Sequence, residues 1–426
     1  MKLARKSLVI SVIFAINATV QLINQIVMAR IFGASEKLEI FLAAVAIPTM
    51  LVSGIYATLN DAFLPIYGKL KQQKNEADKF LQESFGGLFL FGIVIATTLA
   101  ISAKKISWWL YSERGLEFVE QVANEMKILV WGIPIAIGVV ILGSVWYAKK
   151  KFIQFPTAQM IGNITILIGV IVLGKMWGEI SLVSLFLISL LVQGIIVGKE
   201  FKGIKFSWQK SIKVVKAWIP IIISFIIFRS DGVIVKYFAG KLETGYIVYL
   251  NLASKLMIMA IGVVTIGIQI LLLPHLVENL NDKAQIKQGV NLINKAKITS
   301  IGMAIITGAL MMFLLPWILD TFFVGGRFTV NDVMKVKSLL KWFLLPAIGL
   351  GVYPIFMQPL IALNKQKIVA IIAMFSGLVA WITAVWGSWI SMNVVQTMTL
   401  TLSSLVFTGI ILSEIVWQKE KIKLLR

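Results

Sequence analysis

With 426 residues, 58% of them hydrophobic and only 14% charged, this chain is too apolar to be kept in solution as a soluble domain. The absence of cysteine removes disulfides, thiolate metal sites and cysteine nucleophiles together. The net charge of +21 sits in short loops rather than in a basic stripe with interleaved aromatics, which argues for anionic headgroups and against nucleic acid.

Apolar stretches of about 20 residues, the length needed to cross a bilayer, recur about twelve times. They fall near 7–28, 38–59, 83–102, 128–148, 157–174, 180–198, 217–238, 245–272, 298–318, 342–363, 367–389 and 394–416. Residues 1–28 are basic and then apolar, like a signal peptide. They lack a small-residue cleavage site and run too long for its apolar core, so an uncleaved first span is expected. Both termini and every second gap carry most of the cations. Lys2, Arg5 and Lys6 open the series, followed by Lys69, Lys71, Lys74 and Lys79, and then by Lys149, Lys150 and Lys151. The long gap from Lys199 to Lys216 comes next, then Lys283, Lys287, Lys295 and Lys297, then Lys365 and Lys367, and last Lys419 through Arg426. The positive-inside rule then places both termini in the cytoplasm, and an even number of spans preserves the alternation.

An internal repeat organises these spans. Phe63-Leu64-Pro65 after the second span is matched by Leu272-Leu273-Pro274 after the eighth, each followed by a polar amphipathic stretch. Gly132-Ile133-Pro134 opens the fourth span and Leu344-Leu345-Pro346 the tenth; each of these spans ends in a basic turn, Lys149-Lys150-Lys151 and Lys365-Gln366-Lys367. The landmarks recur in order about 210 residues apart. Two halves with six spans each share one orientation, which makes them parallel repeats of the kind alternating-access carriers use. The predicted fold is an all-α polytopic membrane protein with about 12 transmembrane helices in two parallel six-helix lobes around a central cavity, an N-lobe at 1–205 and a C-lobe at 206–426.

Charged side chains inside such spans are costly, about 2.5–3.5 kcal/mol at mid-bilayer on insertion scales, and should face a cavity or a partner. Arg229 and Lys236 in the seventh span are two helical turns apart and predicted to share a face. Lys236 has a second reading, snorkelling to the headgroups. Lys255 in the eighth span lies one turn from Asn251. Lysine and arginine both bind phosphate. In the first span Asn17, Gln21, Asn24 and Gln25 form one stripe, suited to sugar hydroxyls or to hydrogen bonds between helices. Asn163, Gln193, Gln269 and Gln358 read as isolated packing residues, and His275 as interfacial. Asp231 is the carboxylate placed well inside a span; its local reading is charge balance for Arg229.

The string Ala29-Arg30-Ile31-Phe32-Gly33-Ala34-Ser35, Glu39-Ile40-Phe41-Leu42-Ala43-Ala44, Ile47-Pro48 and Asp61-Ala62-Phe63-Leu64-Pro65-Ile66-Tyr67 resembles the MurJ/MviN family of lipid II flippases, within the multidrug/oligosaccharidyl-lipid/polysaccharide exporter superfamily. Phe322 through Thr329 is similar to the family's Gly-x-Phe-Thr loop, and Tyr249 through Pro274 to its eighth span. The resemblance runs over nearly the whole chain, more loosely after residue 80.

It implies a flippase that moves a polyprenyl-pyrophosphate-linked glycan, lipid II first, by alternating access in the bacterial cytoplasmic membrane. Another lipid-linked oligosaccharide is the alternative cargo; a drug/cation antiporter or a membrane glycosyltransferase fits less well, and no enzyme activity is expected. Lys255 stands where the family has an arginine and Glu39 where it has an aspartate, which assigns Glu39 to the outer gate or to coupling. Some members bind sodium through an acidic residue on the seventh span. Asp231 is the counterpart, with Thr397, Thr399 and Thr401 as further oxygen ligands. Beyond coupling Na+ or H+ no cofactor is expected, and the partners implied are the glycan lipid, membrane lipids and cell-wall synthesis proteins. Two departures stand out. The family's N-lobe cavity arginines align with Ala18, Asn24 and Val52, and family members carry fourteen spans against the twelve read here, which leaves handling of the lipid tail open.

Overall fold

The computed structural model describes residues 2–70, 74–178, 180–281 and 284–425, with side chains throughout apart from residues 2–11, 14, 74, 175, 177, 266, 270, 271, 274, 277 and 281. Lys71, Lys283 and Arg426 lie outside the described residues, as do the side chains of Lys2, Arg5, Lys6, Lys74 and Pro274. The chain runs through α1 (Lys2–Phe32), α2 (Glu36–Ala44), α3 (Ala46–Leu70), α4 (Lys74–Tyr111), α5 (Leu116–Leu129), α6 (Gly132–Ala148), α7 (Gln154–Trp177) and α8 (Ile180–Val197). It continues through α9 (Trp208–Phe228), α10 (Asp231–Ala239), α11 (Tyr246–Asn281), α12 (Ile286–Ile318), α13 (Val330–Ala362), α14 (Gln366–Trp389) and α15 (Val394–Leu425).

Among the described residues ten helical segments are long and apolar enough to cross a membrane, eleven when α2 and α3 count as one bent span. With α1, each of the twelve expected spans falls on helix. The places where the chain departs from straight helix have local causes. Ser35 caps α2 by accepting the Leu38 amide at 3.3 Å, and the 41° bend into α3 precedes Pro48, in the first turn of α3 where a missing N–H does no harm. The seventh span is broken: α9 stops at Phe228, and Arg229 and Ser230 form a turn in which the Ser230 hydroxyl donates to the Ile227 carbonyl at 2.7 Å. At the start of α13, Thr329 and Asp332 form a reciprocal capping box, and the Tyr249 hydroxyl donates to Asp332 at 2.5 Å. The threonine of the Gly-Arg-Phe-Thr sequence is therefore a helix cap.

The chain forms two compact units. Unit 1 comprises residues 1–222 with two short additions, Glu243–Val248 and Gly325–Phe328. Within it α3 packs on α6, α1 on α7, α7 on α8, and α4 on both α5 and α6, with α6 almost wholly buried. Residues 201–207 are non-helical and fastened along α4: the Lys205 amide donates to the Gln82 carbonyl at 3.1 Å, and a Cβ at Gly86 would lie 2.2 Å from the Lys205 carbonyl oxygen. Unit 2 comprises residues 223–242, 249–324 and 329–426. There α15 packs on α13, α14 and α10, and Phe228, Tyr353, Leu405 and Val406 belong to one apolar core. Lys297, which the sequence pattern assigned to a cytoplasmic loop, is instead a buried residue of α12: its ammonium pairs with Glu414 and lies 4.8 Å from the Phe356 ring centre and 5.8 Å from that of Trp417.

Candidate functional site

The α9–α10 break and the first turns of α11 carry the candidate cations, all in unit 2. Lys236 of α10 is 5% exposed. Its charged neighbours are Lys255 of α11, which opposes its charge, and Asp231 at the start of α10, which favours it. Lys255 is itself exposed although Leu250 through Ser254 and Leu256 are buried, so its side chain leaves an otherwise packed helix for open space. Asn251, one turn earlier, is buried. Neither lysine forms an ion pair among the described residues. Asp231 offsets part of the repulsion between the two lysines without pairing with either, and an anion between them would relieve the rest.

Arg229 occupies the turn between α9 and α10 and is exposed. Arg229 and Lys236 lie on either side of the start of α10, within the candidate span Trp208–Ala239. One side chain is exposed, the other buried. Arg229 and Asp231 form no ion pair among the described residues, so local charge balance does not account for the carboxylate. Burial of Lys236 also removes its snorkelling alternative, since the amine is packed within unit 2 rather than lifted to headgroups.

The amide stripe of α1 divides. Asn17 Oδ1 accepts Asn163 Nδ2 at 2.8 Å, and Asn24 Nδ2 donates to the Asn163 carbonyl at 3.3 Å, which stitches α1 to α7. Asn163 is thus a partner of the stripe rather than an isolated residue. Gln21 stays exposed and Gln25 half-buried. Gln193 accepts the Tyr56 hydroxyl at 2.8 Å, while Gln269 and Gln358 donate to the carbonyls of Gly351 and Gln269 at 3.2 and 2.6 Å. These three serve packing between helices.

Glu39 is fully buried in α2. Its Oε2 accepts Arg114 Nη2 at 2.7 Å, and its Oε1 accepts the backbone amides of Gly245 and Ile247, both at 2.8 Å. Arg114 also donates to Thr244 Oγ1 at 3.3 Å and stacks 4.6 Å from the Phe118 ring centre. The segment Glu243–Val248 is therefore held in unit 1 by one carboxylate, one guanidinium and two amides. Arg114 escaped the reading of the sequence. A buried acid in an apolar helix demands a cation, but nothing in the local pattern says which of the exposed-loop cations supplies it.

Thr397, Thr399 and Thr401 donate their hydroxyl protons to helix carbonyls, at 3.2 Å to Asn393, 2.9 Å to Val395 and 2.8 Å to Thr397 respectively. No group of three or more His, Cys, Asp or Glu side chains that could hold a metal occurs among the described residues.

The family described as MurJ, lipid II flippase MurJ, matches residues 28–422. The chain is 23% identical over 351 residues to a probable lipid II flippase MurJ of Borreliella burgdorferi, covering 79% of this chain and 68% of that protein. Its fold is similar to that of a lipid II flippase MurJ solved in an inward closed conformation, with TM-score 0.82, 20% identity and 98% and 90% of the two chains covered. It is also similar to an inward-facing multidrug resistance MATE family transporter of the MOP superfamily, with TM-score 0.77, 11% identity and coverage of 96% and 95%. With the family's match spanning almost the entire sequence, the chain belongs to the lipid II flippase family MurJ.

Proposed function

We propose that this chain carries lipid II from the cytoplasmic to the outer leaflet, with Lys255 and Lys236 holding the pyrophosphate. The observation that carries the assignment is the electrostatic proximity of two lysines, one buried and one exposed, that form no ion pair among the described residues although Asp231 lies within reach of their field. Pyrophosphate supplies charge and acceptor oxygens to both. Arg229, exposed in the adjoining turn, is the third cation of this site, and Asn251 the neutral donor beside it. Gln21 and Gln25 are free to meet the glycan or peptide, whereas Asn17 and Asn24 act through the α1–α7 contact. The lobes, residues 1–205 and 206–426, alternate access while the polyprenyl tail stays in the bilayer.

Glu39 and Arg114 form a clasp for residues 243–248 on the outer side, given cytoplasmic termini in the bacterial cytoplasmic membrane. Opening of that clasp accompanies release. Coupling to Na+ or H+ is assigned to Asp231 or Glu39. The protein is a transporter rather than an enzyme, and we propose cell-wall synthesis proteins as its partners.

The missing cations at Ala18, Asn24 and Val52 favour a second cargo, another polyprenyl-linked glycan, because Asn24 is committed to Asn163. The deciding experiment is translocation of lipid II in proteoliposomes by the unaltered protein, Lys255→Ala and Lys236→Ala. Transport that collapses in both variants supports cargo and site together. Folded, unaltered protein that leaves lipid II in place transfers the proposal to the second cargo, and full activity in both variants removes the site.

A further inference from the structure

The chain between α8 and α9 has its polarity inside out. Residues 201–207 are fastened to unit 1 by polar atoms: the Gln82 carbonyl accepts the Lys205 amide at 3.1 Å, and the Gln82 side-chain amide donates to the Lys202 carbonyl at 2.7 Å. On the flanks Lys149 pairs with Glu200, and Lys210 with Glu83 at 2.5 Å. Close approach of backbone holds the first turns of α9 to the same helix, since a Cβ at Gly87 of α4 would lie 1.8 Å from Ser211 Oγ. The apolar side chains are left outside. Ile204 is 64% exposed, Phe206 56% and Trp208 61%, and the two rings stack with centres 6.4 Å apart. A strap bathed in water alone would cover these three groups and present its polar ones.

Cations surround the apolar groups. Lys199, Lys202, Lys205, Lys213 and Lys216 are all exposed, and none of the five forms an ion pair among the described residues. The gap they occupy is cytoplasmic by the positive-inside rule, and the apolar span that follows begins near residue 217, which keeps the strap at the membrane surface. Three kinds of neighbour can be compared there. A free anion would satisfy the lysines and leave Ile204, Phe206 and Trp208 in water. A zwitterionic lipid would cover the apolar groups and bring the lysines no net counter-charge. An anionic lipid does both, because its phosphate sits at the level of the ammonium groups and its acyl chains begin where the rings end.

We propose that residues 199–216 form a recognition surface for anionic phospholipid of the cytoplasmic leaflet. Ile204, Phe206 and Trp208 sit at the boundary of headgroup and acyl chain, and Lys202, Lys205 and Lys213 hold the phosphates. The lipid is a resident of the bilayer, separate from the transported one, and its recognition is independent of which glycan lipid is carried.

The test uses the full-length protein in phosphatidylcholine bilayers. The chain has no cysteine, so Gln209→Cys, exposed in the first turn of α9, gives one attachment point for a fluorophore. Nitroxide-bearing phosphatidylglycerol or phosphatidylcholine, with the quencher high on the acyl chain, is added at equal mole fraction. Quenching then reads how much of each lipid lies beside the strap. Phosphatidylglycerol is expected to be preferred at least about fivefold, the factor that one lysine near a charged surface contributes, and 1 M salt to weaken the preference. The Lys202→Gln/Lys205→Gln/Lys213→Gln variant is expected to quench equally with both lipids; if it misfolds, the salt titration and Lys205→Gln alone carry the same reading in graded form. Equal quenching by the two lipids in the protein with its lysines intact would reduce the strap to an apolar interfacial anchor. Absence of quenching by either would place it in water, and a preference that survives both salt and lysine removal would assign recognition to other groups. Each of these results overturns the proposal.

Discussion

Glu39 and Arg114 meet at 2.7 Å with side chains 0% and 9% exposed, and the same carboxylate accepts two backbone amides of the segment 243–248. Three donors on one buried carboxylate repay much of the desolvation that an ion pair in this setting incurs. Arg114 is less fully served, since its Nη1 is buried without a partner among the described residues. Removing the acid leaves an uncompensated guanidinium and two orphaned amides.

Glu39→Ala is therefore expected to destabilise the protein by about 3–5 kcal/mol, the range for breaking a buried pair from one side. The Glu39→Ala/Arg114→Ala double variant should lose less than the two single losses combined, measured by chemical denaturation; strict additivity would mean that the pair contributes nothing as a pair. The chain has no cysteine, so Thr244→Cys provides a clean label. Its modification from the outer face should accelerate when Glu39 is replaced by glutamine.

Lysine identity tests the phosphate assignment. Lys255→Ala should reduce lipid II transport about tenfold to a hundredfold, corresponding to about 1.5–3 kcal/mol for a hydrogen bond to a charged group. Lys255→Arg should retain most of the activity, because the exposed end of this side chain has room for a larger cation. Lys236 is packed, so Lys236→Arg should fail where Lys236→Met keeps the fold but not transport. Equal transport by all four proteins would sever the lysines from the cargo.

Two glycines of unit 1 should respond to alanine with opposite signs. Gly326→Ala places a Cβ 2.2 Å from the Arg30 carbonyl at a left-handed backbone position, a strain of about 1–3 kcal/mol. Gly68 lies within α3 with nothing within 4 Å of a new Cβ, so Gly68→Ala should stabilise by about 0.5–1 kcal/mol through helix propensity. Thermal midpoints in one detergent compare them directly.

Within unit 2, Lys297 is 8% exposed at the level of its side chain while Glu414 is 33% exposed. The asymmetry predicts unequal consequences. Glu414→Ala strands a buried ammonium and should cost about 2 kcal/mol or more, after allowance for the access water retains to the pair. Lys297→Met fills the same space between Phe356 and Trp417 and frees a glutamate that reaches solvent, so its cost should stay below about 1 kcal/mol. A larger loss for Lys297→Met than for Glu414→Ala would show that the cation–ring contacts outweigh the charge pairing.

The membrane spans were legible because hydrocarbon imposes its own length and composition on every crossing helix. Each of the twelve apolar stretches falls on helix for that reason. The broken seventh span was not legible. Residues 217–238 are apolar enough for one helix, and nothing in a periodic pattern marks Arg229–Ser230 as a turn. Asn17 and Asn24 were visible as polar residues in an apolar span; their bond to Asn163 was not, because the partner lies on another helix more than a hundred positions away.

Length, hydropathy and charge alternation by themselves determined that this is a multi-pass helical membrane protein. Together with the motif around Ala29–Tyr67 they also determined its family, since both signals are local and need no knowledge of what touches what. Tertiary structure alone decided which polar residue meets which. It gave Glu39 the cation Arg114, set Lys236 near Lys255, committed Asn24 to Asn163 and brought Arg327 onto the end of α1. A buried charge or amide announces in sequence that it needs a partner. The partner's identity depends on helix packing over long separations, where shape and close approach of backbone, as at Gly326, select among many chemically equivalent candidates.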